Sequence, residues 1–524
     1  MPSSAAARAA GPSVLSGPPV PSVTADRPFA RMRAGGRPYI DKTAFIAALL
    51  AEGPCDVTVV TRPAGFGKTL MLDMLRTFFD IGEPHGRELF RGLAVLRKRA
   101  LCRVWMRSRP VVCLSLHGMP GENFAEWYKA FRDLAAALCA EHAALLASPR
   151  VGMAEKRRLK AITGRQAGEE TVSLTLGTLC MALLQEHGRP AILLVDDFDA
   201  PLAGASADRE SVRQNGTARF LRGLFRAALR PACPAASPPE FALFFGRRPC
   251  PEHRLFPDGS FACCDAADPR FAAGFGFTEA EVDALLAAAG FAGSSPAGWK
   301  EALRDGCGVW RFGCPPGQAM FSPREVQNFI GEPCGRPDAA RSPAGPWSVP
   351  GPSRERADGI RLVRTVLERT PGSLAGLAGL VSGGSIGLRV CRSMARGSFS
   401  DASTFRGQHP WAALCHAGLL AGQPAGERDG GGDDRKPDSG EDSELAAVLS
   451  GRQARDLVLE GVRSWLADIL PVDARGDLFG PLRDCDSARF AAALEGILSS
   501  PAFPALPSAA SVLSMLRLLF LARG

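Results

Sequence analysis

No apolar run in this 524-residue chain approaches the ~20 residues that a membrane-spanning helix requires. The opening stretch, MPSSAAARAAGPSVLSGPPVPSVTADRP, lacks the apolar segment of a secretory signal, and its proline and serine content disfavours a packed element. A disordered leader over residues 1–28 is expected, with a transit peptide as the lesser alternative. A disulfide framework is missing too. The fifteen cysteines are odd in number and follow no repeating spacing, as befits reduced thiols of a cytoplasmic protein. The nearest approach to a metal cluster, Cys250, His253, Cys263 and Cys264, fits no zinc spacing and reads as loop and core thiols. Strong charge of one sign is also absent. The net charge of +8 is spread along the whole chain, which supports nucleic-acid contact only weakly. Two tyrosines beside abundant arginine, alanine, glycine and proline reflect compositional bias more than function. No internal repeat is found.

What is present suits an ordinary globular protein: 46% hydrophobic and 22% charged residues allow a sizeable core. At ~150 residues per domain the length suggests two or three domains. YIDKTAFIAALLAEG (39–53) carries a helical stripe through Phe45, Ile46 and Leu49, with Asp41 as its cap and Gly53 as its stop. DVTVVT (56–61) predicts a buried strand, and KTLMLDMLRTFFDI a helix. Three more apolar strands are expected in 110–116, 190–197 and 239–246, separated by helices near 124–146, 173–187 and 217–230. This alternation predicts an α/β domain with a mostly parallel sheet covered on both faces. A capping box, Thr278 with Glu281, should open a further helix. Residues 331–358 are dense in proline and glycine and read as a linker. A helical region over 359–420, an acidic disordered linker over 421–444 and a helical segment over 445–524 complete the expected organisation.

Between the strand at 56–61 and its helix lies TRPAGFGKTL, residues 61–70. Strand, glycine-rich turn and helix is the context of a phosphate-binding loop: backbone N–H groups and the helix N-terminus face phosphate oxygens. Lys68 would reach the β- and γ-phosphates and the Thr69 hydroxyl would hold Mg²⁺. The pattern G-x-x-x-x-G-K-[ST] is met except at its first glycine, where Arg62 stands. A plain strand-to-helix turn with an exposed lysine is the bland alternative. Further along, ILLVDDFDAPL ends an apolar strand on Asp196 and Asp197, the Walker B layout. The first carboxylate would serve Mg²⁺ and the second the attacking water. An acidic loop capping the next helix is the alternative there. Both motifs belong at the same edge of a parallel sheet, where ligands bind.

These motifs resemble the predicted AAA-ATPase-like family of many bacteria and some fungi. Its Y-[IV]-D-K-T element is matched by Tyr39–Thr43, and its T-R-P-R-R-F-G-K-[ST] loop by Thr61–Thr69. Its L-[IV]-D-E-Y-D-x-P-L segment, its F-G-F-T-E-x-E-V segment (275–282) and its Y-N-P-x-S-[VI]-x-N-F segment (321–329) also correspond. The resemblance covers about residues 29–330 and makes Arg62 and Pro63 the family's own loop residues. It implies a P-loop NTPase fold with an extra strand between Walker A and Walker B, binding ATP and Mg²⁺. The implied nucleotide-binding set is Arg62, Pro63, Gly65, Phe66, Gly67, Lys68, Thr69 and Leu70. Thr69 and Asp196 would hold the metal, and Lys68 and Asp197 would serve catalysis.

The chain departs from the family pattern in five places. Asp197 replaces a glutamate, and a misplacement of ~1 Å can cost ~10²-fold in rate. Phe245 stands where a polar sensor threonine is usual, and Ala64 and Gly65 replace two basic residues. RDGCGVWRFG keeps only Arg311, Phe312 and Gly313 of a longer element. Residues 449–470 resemble the helix preceding a PD-(D/E)xK nuclease, yet residues 471–524 hold no Asp…Glu-x-Lys arrangement, so that nuclease is expected to be lost. Arg219, Arg222, Arg226 and Arg230 form one helical stripe, expected to be a solvated face; Arg247 and Arg248 are better placed for a nucleotide or a neighbouring subunit. The expectation is therefore an ATP-binding protein with weak hydrolysis. A degenerate scaffold acting on a protein partner or as a homo-oligomer is the alternative, and a nucleic-acid-processing ATPase a weaker one.

Overall fold

The computed structural model describes residues 14–15, 27–35, 39–51, 56–119, 123–202, 216–231, 237–247, 255–256, 261–264, 269–289, 303, 310–312, 318–331, 353–369, 373–390, 411, 414, 419–424, 443–469, 486–498, 513 and 516–517. Gly53, Arg248, Cys250, His253 and Gly313, singled out above, lie outside them.

Five parallel strands form the central sheet: β1 (Val57–Thr61), β2 (Val111–Ser115), β3 (Ile192–Asp196), β4 (Phe241–Gly246) and β5 (Phe261–Cys264), in the spatial order β2-β3-β4-β1-β5. β4 thus lies between the strand that feeds the glycine loop and the strand that ends in the two aspartates, as the resemblance implied. Every residue of β1, β3 and β4 is buried, which explains their unbroken apolar runs. Successive side chains serve opposite faces. Leu193, Val195, Ala242 and Phe244 join one core, while Ile192, Leu194, Phe241, Leu243 and Phe245 join the other.

The helices on the two faces of the sheet include α1 (Pro28–Ala34), α2 (Ala44–Ala51), α3 (Lys68–Phe79), α4 (Phe124–Glu141), α5 (Met153–Thr163) and α6 (Thr175–His187). The first three contribute to the core of Phe245, and the last three to that of Phe244. Helix α7 (Gly216–Leu229) turns Phe220, Leu221, Leu224 and Phe225 inward and leaves Arg219, Arg222 and Arg226 exposed, the solvated stripe expected from the sequence. Helix α8 (Glu279–Ala288) opens on the foreseen capping box, with Thr278 accepting from the Glu281 amide and the Glu281 side chain accepting from the Thr278 amide.

Ordered structure begins before Tyr39. The Arg27 guanidinium reaches Asp73, Thr77 and Glu83, and Asp73 also accepts from the Phe29 amide at 2.9 Å. These contacts fasten α1 along α3. Val14–Leu15, inside the expected leader, pairs antiparallel with Tyr39–Ile40. β5 was not foreseen either: Cys263 and Cys264 are buried on opposite faces of an edge strand, and are core thiols.

Beyond α9 (Pro323–Gly331) come α10 (Ser353–Arg369), α11 (Ser373–Val381) and α12 (Arg452–Ile469). Gly461 lets α10 and α12 touch, because a Cβ there would lie 2.7 Å from Val363. This region holds a sheet that the sequence reading lacked. β6 (Ile386–Val390), β7 (Leu420–Pro424) and β8 (Ser443–Leu449) pair antiparallel in the order β6-β8-β7. The stretch SELAAVL is composed of helix formers, but β8 takes ladder partners on both sides, and tertiary pairing overrides its propensity.

Candidate functional site

The carboxyl ends of β1, β3 and β4 converge with the loop 62–67 and the start of α3. Gly65 and Gly67 have φ of +80° and +83°, left-handed values that glycine adopts at no steric cost. Gly65 is also crowded: a Cβ there would come within 2.9 Å of the Ser322 hydroxyl. The Arg324 amide donates to the Gly65 carbonyl at 3.3 Å, so the start of α9 braces the loop.

Arg62 does not make a tight entry turn. Its amide donates to the Gly246 carbonyl at 3.0 Å, carrying the β1–β4 ladder one residue further. The residue is 1% exposed, and its guanidinium donates to the carbonyls of Thr61 (2.7 Å) and Cys264 (3.0 Å) and lies over the Phe275 ring. The side chain expected among the nucleotide-binding set therefore turns into the sheet beside β5. What Arg62 and Pro63 offer the loop is backbone: the buried Lys68 ammonium donates to their carbonyls at 2.8 and 2.9 Å. Burial lowers the Lys68 pKa, the nearby Arg247 charge adds to the lowering, and Asp197, Asp196 and Asp199 oppose it. Lys68 is thus the cation facing three carboxylates.

Thr69 and Asp196 are brought together across 127 positions, the hydroxyl donating to the carboxylate at 2.6 Å. Burial first, then the charge of Asp197, pushes the Asp196 carboxyl up to about 6. A hydroxyl and a crowded carboxylate are hard oxygen donors, and a divalent cation such as Mg²⁺ would relieve that crowding, so the pair fits the ion. Asp197 follows with φ +50°, left-handed for a non-glycine residue, and its carboxylate lies 2.7 Å from His117 Nδ1. Asp199, buried, accepts from the Arg247 amide through both oxygens at 3.1 Å. This contact holds the residue after β4 beside the loop. Phe245 is fully buried and packs edge-on to Phe275, so no polar group comes from that position.

A cleft adjoins the loop and α3. Phe66, Gly67, Leu70 and Met71 line one wall, Tyr39 and Ile40 a second, and Phe277, Leu285 and Gln327 a third. Lys42, also lining it, donates to Glu281 at 2.8 Å and to the Ala273 carbonyl at 3.1 Å. Sequence reasoning missed this cleft because its walls come from four distant segments. It missed His117 by one residue, since the predicted strand at 110–116 ended just short of it. Asp199 was visible inside ILLVDDFDAPL but had been given no partner.

Among the described residues, no group of three or more His, Cys, Asp or Glu side chains could hold a metal ion by itself, and no helix is long and apolar enough to cross a membrane. A parallel sheet in this order, with a glycine loop and two aspartates at one edge, defines an α/β P-loop NTPase fold. Residues 25–236 match the family model described as AAA-ATPase-like, predicted AAA-ATPase. An uncharacterized protein in the vnfD 5' region of Azotobacter chroococcum mcd 1 is 28% identical over 260 residues, which are 49% of this chain and 43% of that protein. The chain thus spans under half the length of that relative. The structure of the Aeropyrum pernix ORC2 protein (ADPNP-ADP complexes) aligns with 81% of this chain and 93% of its own, at 11% identity and a TM-score of 0.24.

Proposed function

We propose that this chain binds Mg–ATP in the loop Arg62–Leu70 and hydrolyses it slowly. The observation that carries this reading is the 2.6 Å contact of Thr69 with Asp196, directly beside the buried Lys68. Backbone N–H groups of 65–69 cradle the phosphates, and the N-terminus of α3 adds its positive end. Lys68 leaves the Arg62 and Pro63 carbonyls for the phosphate oxygens. Thr69 and Asp196 would hold Mg²⁺, which when bound neutralises developing phosphate charge. The cleft beside Met71 and Phe277 takes the nucleobase on apolar walls. Arg247, whose charge is felt at Lys68, takes the γ-phosphate role that Phe245 has no polar group to fill. The match of residues 25–236 to the AAA-ATPase-like family model supports nucleotide binding; the macromolecule on which such a switch would act stays outside the proposal.

The second reading is a nucleotide-binding scaffold without turnover, acting through a protein partner or a second copy. The buried Phe245 favours it, because a sensor position without a polar group has lost a contact to the γ-phosphate. Phosphate release from saturating Mg–ATP separates the two. The hydrolase reading expects turnover that falls at least ~10²-fold in Asp197→Asn. ATP that binds but is not consumed above background would leave the scaffold.

A further inference from the structure

Asp197 is one methylene shorter than the glutamate usual in its place, and the structure shows what stands in the gap. His117 follows β2 at the same sheet edge, where the Leu116 amide donates to the Asp196 carbonyl at 2.9 Å and sets the two strand ends in register. Its Nδ1 lies 2.7 Å from Asp197 Oδ2. The carboxylate side of the pair is 11% exposed, whereas the imidazole is 69% exposed. The left-handed backbone at Asp197, costly for a residue with a Cβ, helps set the side chain for this contact.

Resting on the hydrolase reading, we propose that His117 is the general base and Asp197 its positioning residue. Asp197 accepts from Nδ1–H and so fixes the tautomer that leaves Nε2 as the free acceptor, on the open side of the ring. A water held at Nε2 attacks the γ-phosphorus. Its proton passes to Nε2 as the new O–P bond forms. The bond from γ-phosphorus to the bridging oxygen breaks, and its electron pair stays on ADP. The Asp197 carboxylate stabilises the imidazolium, which returns its proton to solvent. A two-residue base reaches further than aspartate alone.

The test uses the full chain with His117→Asn, His117→Ala and Asp197→Asn, each checked for Mg–ATP binding by calorimetry. The asparagine amide nitrogen can occupy the Nδ1 position, keeping a donor to Asp197 while removing the base. The expected result is wild-type affinity in both His117 variants with turnover lower by ~10² or more, and partial recovery of His117→Ala on adding imidazole. Wild-type turnover in His117→Asn would overturn the inference, leaving Asp197 as the base and His117 as its holder. Faster turnover in His117→Ala would overturn it as well, marking His117 as a restraint on Asp197. Mg–ATP bound by the wild type without turnover would defeat the hydrolase reading, and this inference with it.

Discussion

Asp196 has a folded pKa of about 6, above its ordinary 3.8, because it is buried and faces Asp197. Between those two values the folded state holds a proton that the unfolded chain has released. Stability therefore falls as pH rises through that window, and the cost is complete above it. Asp196→Asn keeps an acceptor for Thr69 and removes the charge. It should raise the stability of the nucleotide-free protein by about 3 kcal/mol at pH 8, with the gain fading toward pH 4, as read by denaturant unfolding at both pH values. The same variant should lose Mg²⁺-dependent binding. Arg62 works in the opposite direction. Arg62→Ala leaves the carbonyls of Thr61 and Cys264 without their donor and opens space beneath Phe275, a loss of about 2–4 kcal/mol in the same unfolding measurement. The glycine turn between β1 and α3 was legible in the sequence because a buried strand, a glycine-rich turn and a helix follow one another within a short local pattern. The direction of the Arg62 side chain was not, since it depends on β5, some 200 positions away. Nor was the pairing of His117 with Asp197, which closes over 80 positions.

At the scale of elements, a cluster of buried charges sits where α1 begins. Arg27 alone bridges to Asp73 and Glu83 on and just after α3, and both carboxylates are nearly inaccessible. Arg27→Ala strands two buried charges. It should cost about 2–4 kcal/mol and speed amide exchange in 28–34 ahead of the sheet. Unchanged exchange there would mean that Phe29, packed on Tyr39 and Phe90, holds α1 unaided. Strands β1 to β4 were legible because a parallel strand buried on both faces must be a continuous apolar run. The cap of α8 was legible because its box is local. β5 was hidden because FACC is short and its cysteines invited a metal reading. β8 was hidden because its residues favour helix and only its two neighbours make it a strand.

For the whole molecule, the sheet order places the loop strand β1 next to β4 and one strand away from β3, so the lysine, the hydroxyl and the carboxylates meet at one edge. A ligand that binds only the folded state adds about 2.7 kcal/mol at a hundredfold excess over Kd, so saturating Mg–ATP should raise the melting temperature of the protein. The general architecture could be foreseen from strand and helix alternation, while the site's third dimension (the cleft, the Asp199 brace, the His117 partner) came only with the fold. The central proposal is that this edge binds nucleotide through Lys68. Calorimetric titration of Mg–ATP into the wild type and Lys68→Ala tests it most directly. Saturable binding by the wild type that weakens at least ~10²-fold in a folded Lys68→Ala is the predicted result. Equal binding by both proteins, or none by either, would contradict it.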